Sequence, residues 1–186
     1  MLRLFFETAL MQLLRKNHFE LMALPASFRI DLAALETAYR ELQSTVHPDR
    51  FVNEPPAERR FAMQAATLAN EAWRCLRDPV QRAVYLLRLK GIEVDETSRS
   101  GFEPGFLMQQ MEWRETLESL PDAADPGRER DALTLEVRAT RDDLLAQLER
   151  LIDVDGRHDL AAAPVRQLMF IERFLDQIDA QADESI

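Results

Sequence analysis

The amino-acid sequence predicts an all-α protein of two modules: an N-terminal helical hairpin with short flanking helices, and a C-terminal antiparallel three-helix bundle. Three observations predict it. Apolar residues recur three and four positions apart through most of the chain, which is helix spacing. Only five glycines and few β-branched runs occur among 186 residues, against a sheet protein. Charge is also split: residues 17–90 carry ten Lys/Arg against nine Asp/Glu, whereas residues 91–186 carry ten Arg against 23 Asp/Glu. Such asymmetry suggests modules with different partners. The apolar share of 46% is ample for a packed core.

Residues 1–16, MLRLFFETALMQLLRK, have helical apolar spacing. Glu7 and Gln12 interrupt the apolar run, and Arg15-Lys16 stands where a signal peptide would have small residues. They read as a frayed or loosely docked extension or the product of an upstream start codon, or else as a docked or membrane-surface helix. The stretch NHFELMALP is a short helix stopped before Pro25. Asp31 is a good N-cap for the next helix, with Leu32, Leu35, Tyr39, Leu42 and Val46 as its apolar stripe.

Pro48 ends that helix, because it has no N–H and forces His47 away from α geometry. A loop runs on through Asn53 and Pro55-Pro56 to a helix starting near Ala57, with Phe61, Ala65, Leu68, Ala72 and Leu76 on one face. Asp78-Pro79 opens a further helix that Gly91 closes. Residues 91–105, GIEVDETSRSGFEPG, read as a linker. FLMQQMEWRETLESL is a helix ending at Pro121, and a long helix follows Asp125-Pro126 through Leu133, Val137, Leu144, Leu148 and Leu151. After a turn at Asp155-Gly156, the last helix holds Val165, Leu168, Ile171, Leu175 and Ile178. Short connections between long helices predict an antiparallel bundle.

The loop between the hairpin helices carries His47-Pro48-Asp49 followed by Arg50 and Phe51. A helix stop requires the proline but not the histidine or the carboxylate. Long ordered loops on a helical scaffold tend to carry function. The order of elements around HPDRF resembles the J-domain family of co-chaperones. HPDRF, LANEAWRCLRDPVQRAVYLL and FLMQQMEWRETL together are similar to the HscB-type co-chaperones of iron–sulfur cluster assembly. That resemblance implies a J-domain over residues 17–90, a linker over 91–105 and a three-helix bundle over 106–186, on which the J-domain packs. It implies that His47, Pro48 and Asp49, helped by Arg40 and Arg50, contact a DnaK-type, HscA-like chaperone and stimulate its ATPase. The chemistry fits: Pro48 fixes a bend, Asp49 offers a carboxylate to an arginine, and His47 offers two directional ring nitrogens. The helix before the loop has Arg40, with Arg29 just before it, and Arg59 and Arg60 lie beyond the loop. J-domains use a basic face there, so this one is reduced.

In FLMQQMEWRETL, Leu107, Met108 and Met111 join Phe106 and Trp113 in more apolar surface than one buried stripe uses. Composition alone favours core packing for them. The resemblance instead implies that Leu107, Met108, Met111, Glu112, Glu115 and Phe170 hold an IscU-like scaffold protein. Flexible methionines suit an adaptable interface. The rival reading is a general J-protein whose bundle binds other clients or self-associates.

The composition excludes several function classes. One cysteine, Cys75, leaves no internal disulfide and no Cys-x-x-Cys zinc site, so no metal or cofactor is expected. It reads as a small buried or half-buried residue, His18 and His158 as surface or capping residues, and Trp73 as a filler between helices. An acidic second half disfavours nucleic acid. No apolar run approaches the ~20 residues of a membrane span, and a bacterial cytoplasmic location is expected. The chain has no nucleophile with an orienting base and no phosphate-cradling loop, so it does not read as an enzyme.

Overall fold

The computed structural model describes residues 12–95 and 102–183. They form seven α-helices and no strand among the described residues. The chain divides into two compact units, Met1–Leu86 and Leu87–Ile186, with the division falling inside one helix.

The first unit begins with α1 (His18–Leu21), a single turn held by a reciprocal cap. Asn17 Oδ1 accepts from Glu20 N at 2.9 Å, and Glu20 Oε2 accepts from Asn17 N at 2.9 Å. Ala23 closes the turn at φ 52°, a left-handed cap that glycine usually fills. His18 is half-buried, with its ring stacked 4.2 Å from that of Tyr85. His18, expected as a surface or capping residue, is thus a packed one, and its backbone N–H also donates to the Tyr85 hydroxyl at 3.0 Å.

Helices α2 (Leu32–Val46) and α3 (Pro56–Arg77) form the hairpin. Asp31 Oδ1 caps α2 by accepting from Ala33 N at 2.9 Å and Ala34 N at 3.1 Å. The buried face of α3 is mostly alanine: Ala62, Ala65, Ala66, Ala69 and Ala72. Small side chains let α2 come close. Leu35 and Val46 of the predicted stripe are buried, whereas Leu32, at the first position of α2, lies 56% exposed. The helix starts there before the hairpin interface begins. Helix α3 begins at Pro56 rather than Ala57, since proline suits the first turn. Polar side chains lace its outer seam. Tyr39 donates to Asn70 Oδ1 at 2.8 Å, and Trp73 Nε1 donates to Glu36 Oε2 at 3.0 Å.

Helix α4 (Pro79–Leu89) carries Arg82, which is buried. Its Nε donates to the Phe28 carbonyl at 2.7 Å and its Nη1 to the Leu76 carbonyl at 2.5 Å. This guanidinium fastens the segment before α2 to the end of α3.

The extension expected over residues 1–16 lies outside the described residues as far as position 11. Beyond it, Leu13 and Leu14 are half-buried against Val46, Ala65 and Ala66, together with Leu42 and Phe61.

The second unit holds α5 (Pro104–Ser119), α6 (Pro126–Glu149) and α7 (His158–Asp183). Residues 96–101 of the expected linker lie outside the described residues. A short 3₁₀ turn at Leu120–Asp122 carries Pro121 and ends α5. Asp125 Oδ1 caps α6 by accepting from Arg128 N at 3.1 Å. Leu133, Val137, Leu144 and Leu148 of α6 are buried, as are Val165, Leu168, Ile171, Phe174 and Ile178 of α7. Each such side chain contributes roughly 1.5–3 kcal/mol on burial. A π-type turn, Arg150–Val154, closes α6. Its wider turn shifts the register. Ile152 is therefore buried where Leu151 was expected, and Leu151 is half-buried.

Candidate functional site

Two surfaces gather the predicted residues, one in each unit. The first is the hairpin tip. Helix α2 ends at Val46, which is fully buried, and His47 leaves the helix at φ −58°, ψ 127°, the extended geometry that a following proline imposes. Pro48–Phe51 then makes one 3₁₀ turn. His47 acts as its cap: Nδ1 accepts from Asp49 N at 3.3 Å, and the His47 carbonyl accepts from Arg50 N at 3.0 Å. Asp49 Oδ2 lies 3.7 Å from the same ring nitrogen. The Asp49 side chain is 87% exposed, and the His47 side chain 53%. Nδ1 thus faces the loop.

Arg50 turns back on the chain. Its Nη1 donates to the Ser44 carbonyl at 2.7 Å, satisfying one of the acceptors left open at the end of α2. Phe51 is buried and anchors the far side of the turn. The exposed His–Pro–Asp bend is therefore clamped at both ends by Val46 and Phe51. Arg40 sits two turns before His47 on α2, roughly 10 Å along the axis. Its Nε bonds Glu36 Oε1 at 2.8 Å, and Glu36 is held in turn by Trp73. Arg29, Arg59 and Arg60 are exposed.

The second surface is one side of α5. Phe106, Gln110 and Trp113 are buried, at helical spacing on the inward face. Met108 and Met111 are each 62% exposed, Leu107 is half-buried, and Glu112 and Glu115 are exposed. Core packing, which composition favours for the methionines, does not hold. The inward stripe is filled by the two aromatics and by Gln110, a polar residue that hid it from the sequence. Phe170 of α7 is half-buried and meets Phe106 edge to face, centroids 6.0 Å apart. It also stacks on Phe174 at 5.8 Å, and Arg114 lies 5.7 Å from its ring centre. Phe170 thus joins the α5 patch to the bundle core.

Cys75 is half-buried, its Sγ 3.7 Å from the Gln81 carbonyl. Among the described residues no three His, Cys, Asp or Glu side chains gather as metal ligands, and no helix is long and apolar enough to cross a membrane.

The chain is 50% identical, over 172 residues, to the co-chaperone protein HscB homolog of Burkholderia multivorans, covering 91% of this chain and 96% of that protein. The chain belongs to the HscB family of co-chaperones. The HscB homolog of Burkholderia thailandensis is 51% identical over 170 residues, with the same coverage. The family model described as HSCB C-terminal oligomerisation domain matches residues 102–179. Among solved structures, chaperone HscB from Vibrio cholerae aligns with a TM-score of 0.83 at 37% identity, over 92% of this chain and 100% of that one. Human co-chaperone protein HscB aligns with a TM-score of 0.83 at 27% identity, over 90% of this chain and 83% of that one. The all-α reading, with an HscB-type J-domain fold and a C-terminal helical domain, accordingly holds.

Sequence reasoning missed the buried Arg82, whose acceptor at Phe28 lies 54 residues away. It also missed the bond from Trp113 Nε1 to Glu136 Oε1 at 2.7 Å, which orients the indole beneath the patch.

Proposed function

We propose that this chain stimulates the ATPase of an HscA-like, DnaK-type chaperone and delivers an IscU-like iron–sulfur scaffold protein to it. His47, Pro48 and Asp49 make the chaperone contact, with Arg40 beside them. Arg50 chiefly shapes the loop, given its bond to Ser44. Leu107, Met108, Met111 and Phe170 hold the scaffold, rimmed by Glu112 and Glu115. The observation that carries this reading is the pairing of an exposed, clamped His–Pro–Asp bend in one unit with an exposed methionine patch in the other. The bend presents a directional carboxylate, and the patch offers adaptable apolar area. The co-chaperone shifts its partner's equilibrium by binding one state better than another, with no bond chemistry of its own.

The test is steady-state ATP turnover by the chaperone with co-chaperone and scaffold, alone and together. His47→Gln and Asp49→Asn should each abolish stimulation with unchanged helical circular dichroism. The triple change of Leu107, Met108 and Phe170 to Ala should weaken scaffold binding at least tenfold, about 1.4 kcal/mol. It should also abolish the extra stimulation seen when both partners are present, while basal stimulation persists. Retained stimulation by His47→Gln, or retained synergy in a folded triple variant, refutes the corresponding half of the reading.

A second reading has one supporting observation: the matching family model is described as an oligomerisation domain. On that reading Met108 and Met111 meet a second copy. Light scattering on the wild type and on a Met108→Ala/Met111→Ala variant separates the two, because only self-association makes mass depend on these methionines.

A further inference from the structure

We propose that Leu13 and Leu14, in the segment before α1, are positioning residues for the His–Pro–Asp loop. This rests on the chaperone-contact reading above. Val46 is the last residue of α2, is fully buried, and directly precedes His47. It clusters with Ala65 and Ala66 of α3, whose side chains are small. Leu13, Leu14, Leu42 and Phe61 complete that cluster. The last turn of α2 also has polar supports: Gln43 Nε2 donates to Asn70 Oδ1 at 2.6 Å, and Thr45 Oγ1 donates to the Glu41 carbonyl at 3.0 Å. It holds no basic residue, and His47 leaves it without a left-handed cap. The Arg50 bond to Ser44 braces its carbonyl end, and the cover on Val46 holds its apolar side in place.

The mechanism is a population effect. A partner that binds one loop arrangement sees an affinity reduced by the fraction of molecules outside it. Uncovering Val46 frays the end of α2 and lowers that fraction. A saturating partner draws the loop back into place, so the maximal effect survives. A residue that merely holds the domain together would lower both quantities, or neither.

The experiment titrates the full chain carrying Leu13→Ala and Leu14→Ala into a chaperone ATPase assay. The half-saturating concentration should rise at least about threefold, with maximal turnover unchanged. Amide hydrogen exchange should speed up at Thr45, Val46 and Asp49 and stay as in wild type through the second unit. Leu13→Met with Leu14→Met, which conserves volume, should restore wild-type half-saturation. Leu32→Ala, at an exposed leucine, should change nothing. If the double alanine variant fails to fold, Leu13→Val with Leu14→Val takes its place and should show the same displacement in smaller measure. Wild-type half-saturation, or lower maximal turnover with half-saturation unmoved, in whichever variant folds overturns the proposal. His47→Gln runs beside it: if that variant still stimulates, the chaperone contact itself is misassigned. If it is silent while the leucine variants match wild type, only the positioning role falls.

Discussion

The rings of Phe106 and Phe170 stand edge to face, 6.0 Å between centroids at 84°. One is buried in the second unit's core and the other is half-buried at its surface. The pair divides the proposed scaffold patch into residues that bear on stability and residues that do not. Phe170→Ala should cost roughly 1–3 kcal/mol of unfolding free energy, since it opens the contact to Phe106 and the stack on Phe174. Met108→Ala with Met111→Ala should cost under about 0.5 kcal/mol, both being exposed. Urea unfolding of the three proteins checks this. Comparable losses in both would mean that the methionines are covered in solution.

The hairpin seam makes an opposite pair. Trp73→Phe keeps the stack on Tyr39 but loses the bond to Glu36, so stability should fall by about 0.5–1.5 kcal/mol. Maximal ATPase stimulation should be unchanged. Arg40→Ala removes an exposed ion pair and should cost under about 0.5 kcal/mol, yet weaken the chaperone contact severalfold. Equal ATPase titrations for Arg40→Ala and wild type would remove Arg40 from the contact.

Much of this architecture was legible because local rules agree with the fold. Asp31, Pro48, Asp125-Pro126 and Gly156 mark element ends by side-chain or backbone chemistry that acts within a few residues. The allocation of faces was less legible. On α5, Phe106, Leu107, Met108, Met111 and Trp113 are all apolar, and spacing alone admits more than one stripe through them. Gln110 then occupies a buried position that pattern reading gives to an apolar residue. The loop's functional residues stood out by type, but what holds them did not. The cluster of Val46, Ala65 and Ala66 packs against leucines some thirty residues before Val46, in a stretch whose own composition reads as a loose extension. Such relations are set by tertiary contact, to which local propensity is blind.

Arg82 illustrates the same limit and has a measurable consequence. Arg82→Met preserves the aliphatic stem but leaves the carbonyls of Phe28 and Leu76 without this donor. The loss should be about 2–4 kcal/mol, seen as a lower urea midpoint for the first unit. Arg82→Lys should not restore it, because one ammonium cannot reproduce the forked geometry that bonds two carbonyls. Full rescue by lysine would mean that charge, and not the fork, holds the segment before α2.

The start of α7 supplies a pH-dependent case. Arg157 holds both carboxylate oxygens of Asp159, Nε to Oδ1 at 3.1 Å and Nη2 to Oδ2 at 3.2 Å. This hydrogen bonding keeps the Asp159 carboxyl below the usual carboxylate range. Arg157 is raised by the same partner and stays protonated throughout. A lowered folded-state pKa means that the pair's contribution is fully present above the ordinary carboxylate pKa. It fades as pH falls from there through the folded-state value. The difference in melting temperature between wild type and Asp159→Asn should therefore be small but constant between about pH 7 and pH 5, then shrink toward zero in stronger acid. It should also shrink in about 0.5 M salt, because both groups are exposed and screened. A difference that persists unchanged in acid and in salt would mean that Asp159 acts through its backbone position at the helix start, not through its charge.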